Sequence, residues 1–316
     1  MTGWIWFWAI VKILCVVLLA PLMAGWVKWL KCKLQNRQGP APWQPYLDLQ
    51  RLARKQVVLA DTASPIFRIA PYIVFSVTII AVSAVPVITV KLPIAALADV
   101  IALVGFLALA RFFLSLAGMD VGTAFGGMGS SREVTISSLA EPALLMAFFT
   151  LAMNVSSTNL STVISHLAQQ HFTLYPSLIF SSLGLILVAI AETGRIPIDN
   201  PATHLELTMI HEAMILEYSG RHLALMEWAA MLKLTLYSLL IVNLIVPYGV
   251  ALTLDPGDLA FAALIVTVKL FIWSCFLAVS ETVQAKMRLF RAPQFLGLAF
   301  ILTLLGMMSH IILEVQ

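Results

Sequence analysis

Long apolar runs constrain this chain more than any other feature. Eight segments of about 20 or more residues pass with at most two charges each: 4–30, 67–90, 93–117, 135–156, 173–192, 223–249, 259–283 and 293–314. A helix rises 1.5 Å per residue, so each is long enough to cross the hydrocarbon core of a bilayer. In lipid every backbone N–H and C=O must be satisfied within the protein, which leaves helices as the reading for such runs. The 316 residues are 60% hydrophobic and only 11% charged, whereas a soluble domain is nearer a quarter charged. The expectation is therefore an all-α, multi-pass membrane protein, with residues 1–316 forming one domain. The net charge of +3 is too small to indicate nucleic-acid binding.

Basic residues orient the eight spans. The first connection carries Lys31, Lys33, Arg37, Arg51, Arg54 and Lys55, with Lys28 and Arg68 at its margins; Arg132, Arg195, Arg221, Lys286, Arg288 and Arg291 fall in the third, fifth and seventh. The opposite connections offer only Lys91. The positive-inside rule places the basic loops in the cytoplasm and both termini outside. Trp4, Trp6 and Trp8 then lie at the outer interface, and Trp26 and Trp29 at the inner one. Nothing basic precedes the first run, so it reads as a retained span and not a cleaved signal. Cytoplasmic loops 31–66 and 193–222 are long and patterned, 91–92 is expected as a tight outer turn, and 157–172 as an outer loop.

Cys15, Cys32 and Cys275 are widely separated and form no C-x-x-C pair. An iron–sulfur cluster or structural zinc needs more ligands than these supply, so no cofactor is expected in this chain. In the loop 118–133, five glycines stand without the lysine of a phosphate-binding loop. Ser130 and Glu133 fit a capping box opening the fourth span.

Two cytoplasmic stretches carry most of the pattern. Residues 35–56, QNRQGPAPWQPYLDLQRLARKQ, begin with a bend enforced by Gly39, Pro40, Pro42 and Pro45. A short amphipathic helix follows, with Arg51, Arg54 and Lys55 on its polar side; it is either a lipid-anchored helix or a docking ridge. Residues 192–220, ETGRIPIDNPATHLELTMIHEAMILEYSG, gather Glu192, Asp199, Glu206, Glu212 and Glu217. Asn200–Pro201 reads as a helix start. If 201–217 is one helix, Glu206 and Glu217 share a face ~16 Å apart. His211–Glu212 begins like H-E-x-x-H, but Ile215 replaces the second histidine and excludes that zinc site.

Charges inside the runs are the remaining signal. Asp99, Arg111, Glu141, Glu227, Lys233 and Lys269 are expected to face the bundle interior, where such residues mark ion or proton paths. Lys12 and Glu281 lie close enough to an interface to snorkel. Burial disfavours the charged carboxylate, which suits such groups to take up and release protons.

Together these motifs resemble the complex I subunit 1 family, in its hydrogenase branch: the membrane subunit of energy-converting [NiFe] hydrogenases, including formate hydrogenlyase subunit 4 and hydrogenase-4 component C. Arg37, Gly39, Pro40, Gln44, Pro45 and Asp48 match its R-x-G-P … Q-P … D pattern. Glu192, Arg195, Pro197 and Asp199 match E-x-x-R-x-P-x-D, and Glu206–Leu207 and Glu217–Gly220 match the later E-L and E-Y-S-G. Quinone-reducing members carry a Phe at Ile198 and glutamates at Ala202 and His204, so the resemblance is to the hydrogenase branch and quinone binding is doubtful. The resemblance implies an anchor and coupling subunit in a bacterial or archaeal cytoplasmic membrane. Its partners would be soluble hydrogenase-like large and small subunits, an iron–sulfur subunit and antiporter-like membrane subunits. Those partners, and not this chain, would carry 4Fe–4S clusters and the NiFe centre. A proton relay would fall to Glu141, Glu192, Glu206, Glu212, Glu217 and Glu227. Arg37, Gly39, Pro40, Gln44, Pro45, Asp48, Arg195, Pro197 and Asp199 would shape the loops and dock the soluble arm. The alternatives are a quinone-chamber subunit of a complex I-like NADH dehydrogenase, or a free-standing transporter; the latter usually shows repeats and broken helices, and neither is evident.

Overall fold

The computed structural model describes residues 2–91, 95–169, 175–199, 209–251, 253, 255–287 and 291–314. They form helices α1 (Thr2–Leu34), α2 (Gln44–Arg54), α3 (Pro65–Ala84), α4 (Val100–Asp120), α5 (Ala124–Met153), α6 (Leu160–Gln169), α7 (Pro176–Glu192), α8 (His211–Ile215), α9 (Gly220–Ile245), α10 (Pro256–Val283) and α11 (Ala292–Ser309). Among the described residues there is no strand, only two isolated bridges. Seven helices are long and apolar enough to span a bilayer: α1, α3, α4, α5, α9, α10 and α11. The fifth expected span, α7, is a shorter apolar helix of 17 residues.

α9 is the most enclosed of these helices and packs against α1, α3, α7 and α10. α5, α7 and α11 form one flank, and α3, α4 and α5 pack in succession. Leu232, Leu236, Tyr237, Leu240 and Leu244 of α9 enter a core shared with α4, α5 and α7.

Several span boundaries differ from the sequence reading, each for a local reason. α3 stops at Ala84 because Pro86 breaks the helix. The connection begins earlier than the expected turn at 91–92, and residues 85–91 pass beside Ala251, with Thr89 and Ala251 forming an isolated bridge; residue 92 lies outside the described residues. The Ala251 N–H donates to the Ile88 carbonyl at 2.8 Å, and Asn243 Nδ2 to the Pro86 carbonyl at 3.0 Å. Lys12 does not snorkel: it is buried, and Nζ donates to the Ser83 and Val85 carbonyls at 2.9 and 3.0 Å. Asp99 is not a buried charge. It is the N-cap of α4 and accepts from the Ile101 N–H at 3.0 Å, satisfying one of the helix's free amides. The outer stretch 157–172 contains α6.

The glycine-rich stretch is helix, not loop. α5 starts at Ala124 behind an N-cap at Thr123, so Ser130 and Glu133 lie inside it and form no capping box. Propensity gives way to packing: a Cβ on Gly126 would lie 2.1 Å from the Gly118 carbonyl oxygen, so only glycine lets α4 and α5 approach this closely.

The loop before α2 and the 193–199 loop are drawn against the helices. The Pro42 carbonyl presses on Gly25 of α1, where a Cβ would lie 2.0 Å away. α2 begins at its proline as expected, buries Leu49, and exposes Arg51 and Arg54. Tyr46 Oη donates to the Leu18 carbonyl. The single helix expected over 201–217 is absent at its C-terminal end, where helix is confined to His211–Ile215 and a turn follows. Asp199 Oδ2 accepts from the Ile210 N–H at 3.2 Å. Residues 209–210 and 216–217 are not helical, so no single helix runs on to Glu217. Ala202, His204 and Glu206 themselves lie outside the described residues.

Candidate functional site: a buried charge cluster beside a cavity

Four charges from four helices meet inside the bundle. Arg111 on α4 is 5% exposed, and its Nη1 lies 2.5 Å from Glu192 Oε1 at the C-terminus of α7. Its Nη2 lies 3.1 Å from Glu141 Oε1 on α5. Lys233 Nζ on α9 lies 3.0 Å from Glu192 Oε2. Glu192 is thus held between two cations at 3% exposure, whereas the Glu141 side chain is 36% exposed. Charge buried at this depth is tolerated only when paired. Beside the cluster, Glu133 Oε2 lies 3.4 Å from His211 Nδ1.

A cavity of about 630 Å³ abuts this cluster. Its walls come from α1, α3, α4, α8, α9, α10 and the 193–196 loop, and Arg111 and Lys233 reach it. Val74, Leu107, Leu114, Ile215, Met226 and Leu234 supply an apolar interior. Lys28, Lys31, Arg37, Arg195, Glu212, Glu227 and Glu281 add charge. Clefts of roughly 300–1,000 Å³ with such mixed linings are typical ligand or solvent chambers.

The 193–199 loop is fastened on three sides. Arg195 Nη1 lies 2.5 Å from Glu281 Oε1, and the other oxygen of Glu281 accepts from Lys31 Nζ at 2.9 Å. The Pro197 carbonyl accepts from the Met287 N–H at 2.8 Å. Asp199, buried, lies 3.3 Å from Lys286 Nζ. Every residue of the E-x-x-R-x-P-x-D motif therefore makes a tie to another helix or loop. At the far end, burial and the nearby Asp120 raise the Tyr218 phenol above its ordinary value. It remains a donor, to the Phe67 carbonyl at 2.9 Å.

Of the expected relay residues, Glu141 and Glu192 meet in the cluster, and Glu212 and Glu227 line the cavity. Glu217 is half-buried in the turn before α9 and belongs to neither. Of the expected buried charges, Arg111 and Lys233 are central. Lys269 instead donates to the Val246 carbonyl at 2.5 Å, closing the end of α9. In the first loop, Gln44 Nε2 donates to Asp48 Oδ1 at 2.9 Å, and Arg51 lies 3.7 Å from Asp48. Gly39 lies close against Cys32. Pro40 is half-buried in the bend that leads into α2. Glu133, His211, Glu281 and Lys31 complete the site and were missed. Glu133 was read as a cap and Glu281 as a snorkelling end, because one-dimensional spacing does not show which distant cation a carboxylate will meet. Among the described residues no group of three metal-ligating side chains occurs.

The sequence pattern of the NADH dehydrogenase family matches residues 7–312. The chain belongs to this family. It is 30% identical over 300 residues to formate hydrogenlyase subunit 4 of Escherichia coli K12, covering 95% of this chain and 97% of the relative. It is also 30% identical over 289 residues to hydrogenase-4 component C of the same organism, covering 90% of each. A similar fold occurs in the membrane-bound sulfane sulfur reductase, an archaeal respiratory membrane complex. One chain of that structure superposes with a TM-score of 0.82 at 16% identity, over 96% of this chain and 98% of its own. The two bacterial relatives are hydrogenase-linked by name, and this family member is a multi-pass membrane protein of their kind.

Proposed function

We propose that this chain is the membrane anchor and coupling subunit of an energy-converting [NiFe] hydrogenase or formate hydrogenlyase-type complex. It has eight spans, α7 being the fifth, with both termini outside and the α2 and 193–222 loops in the cytoplasm. Soluble hydrogenase-like large and small subunits and an iron–sulfur subunit dock on that face, and antiporter-like subunits adjoin it in the bacterial or archaeal cytoplasmic membrane. The redox centres belong to those partners.

The observation that carries the reading is the buried Arg111–Glu192–Lys233–Glu141 cluster, set directly beside the cavity. Such a cluster shifts protonation when a neighbouring charge changes, because charges interact strongly where water is excluded. A redox event at the docked arm is such a change. Glu192 is the held centre; Glu141, less buried, is the member placed to pass a proton onward. Purification of the native complex through a tag on this chain tests the partner assignment. A [NiFe] large subunit with two C-x-x-C motifs among the co-migrating chains supports it; its absence refutes it.

The apolar lining of the cavity favours one second reading, a quinone-chamber subunit of a complex I-like dehydrogenase. Co-purification of NADH-oxidising subunits in place of a hydrogenase would select it.

A further inference from the structure

His211 stands at the boundary between the cavity and the buried charges, and its place is set from several sides. Asp199 holds the preceding Ile210 N–H. Arg132 Nη1 donates to the Met209 carbonyl at 3.0 Å. Met214, on the same short helix, fills a notch at Gly118 and Gly129, where added Cβ atoms would lie 3.3 and 3.2 Å from its side chain. The imidazole itself rests on Gly194, within 3.5 Å of where a Cβ would be. Gly194 has φ +59°, a backbone conformation that calls for glycine.

The ring faces two environments. Nδ1 is buried, makes no hydrogen bond among the described residues and lies 3.4 Å from Glu133 Oε2, an ion pair only when the imidazole is protonated; the side chain as a whole is 25% exposed and lines the cavity. Glu133 is 4% exposed and has His211 as its ion-pair neighbour among the described residues. The charged groups around the ring are Glu133 and Arg132 on α5, Arg111 on α4, Glu192 on α7, Lys233 on α9 and the adjacent Glu212. Glu192 lies within electrostatic range of His211, and Arg111 within range of Glu133.

We propose that His211 transfers protons between cavity water and the buried carboxylate Glu133, and so loads the Arg111–Glu192–Glu141 cluster. This rests on the coupling reading above. Imidazole suits the step because its two nitrogens can bind and release a proton on opposite edges. Nε2 takes a proton from hydronium in the cavity, leaving water behind, and the Nδ1–H bond breaks as its proton passes to Glu133 Oε2, which becomes the neutral acid. One positive charge has then moved inward, and the ring is left neutral in its other tautomer.

The test uses the native complex, reconstituted in vesicles and driven by reduced methyl viologen, with hydrogen evolution followed together with proton uptake into the vesicle lumen, which is separate from the protons consumed in forming hydrogen. His211→Ala should leave hydrogen evolution in place and lower proton uptake per hydrogen by about ten-fold or more, in keeping with the worth of a positioned proton carrier. The vacated space adjoins the cavity, so added imidazole or 4-methylimidazole should restore uptake, whereas thiazole, a ring of similar size but far weaker base, should not. His211→Gln, which keeps a polar side chain of similar length, should lose uptake as well. Full uptake in either variant overturns the proposal, as does equal rescue by thiazole, which would make the ring a packing element. A wild-type complex that evolves hydrogen without moving protons into the vesicle lumen would instead overturn the coupling reading itself.

Discussion

Glu192→Gln removes one charge from a cluster whose two cations and two carboxylates are otherwise formally balanced. The amide keeps the shape of the side chain and one acceptor oxygen, so the effect is electrostatic and not one of packing. Arg111, 5% exposed, keeps only Glu141 at 3.1 Å, whose partial exposure weakens it as a counterion. Lys233 loses its 3.0 Å partner, but its side chain is 18% exposed and can turn toward the cavity. Breaking a buried ion pair from one side costs about 3–5 kcal/mol. The surviving Glu141 and the accessible Lys233 place this case at the lower end, about 3 kcal/mol. That is roughly a hundred-fold in the folding equilibrium. Reversible unfolding of the purified chain in mixed micelles, followed by tryptophan fluorescence, measures it. Adding Lys233→Met to Glu192→Gln restores the formal balance and should recover about 1–2 kcal/mol, since contacting residues couple on that scale. A loss below about 0.5 kcal/mol for the single variant, or no recovery in the double, would refute the reasoning.

Two further outcomes follow from the packing. Gly126→Ala places a methyl group 2.1 Å from the Gly118 carbonyl and should cost about 3 kcal/mol or prevent folding, while Gly127→Ala, with open space around it, should be neutral or stabilising by up to about 1 kcal/mol; the same unfolding assay compares them. Glu281→Gln strips Lys31 and Arg195 of their shared carboxylate and should loosen the 193–199 loop, read as faster amide exchange at residues 193–199, with exchange in α9 unchanged.

Much of this architecture was legible before any coordinates. Apolar run length marks membrane helices because lipid leaves the backbone no other solution. The fifth run was read correctly to its end at Glu192, where a glycine and a proline follow. The misreadings cluster where tertiary contacts override local signals. Gly118, Gly126 and Gly129 read as a loop, but they lie in α4 and α5 and are the surface on which α4, α5 and α8 close. Asp99 looks like a costly buried charge, but it satisfies an amide at a helix start. The opposite error placed Glu281 at an interface, although it is the shared anchor of Lys31 and Arg195. Arg111 and Glu192 could each be marked as expensive in hydrocarbon; that they belong to one cluster, 81 positions apart, needed the fold. His211 was weighed only as a metal ligand, and its role beside Glu133 has no signature in sequence spacing.

The most direct test of the coupling claim is proton uptake into the lumen of sealed vesicles per hydrogen evolved by the native complex, wild type against Glu141→Gln. Glu141 is the one cluster carboxylate with a third of its side chain exposed, so the neutral amide should preserve assembly and hydrogen evolution while uptake falls to near zero. Undiminished uptake in that variant would contradict the account.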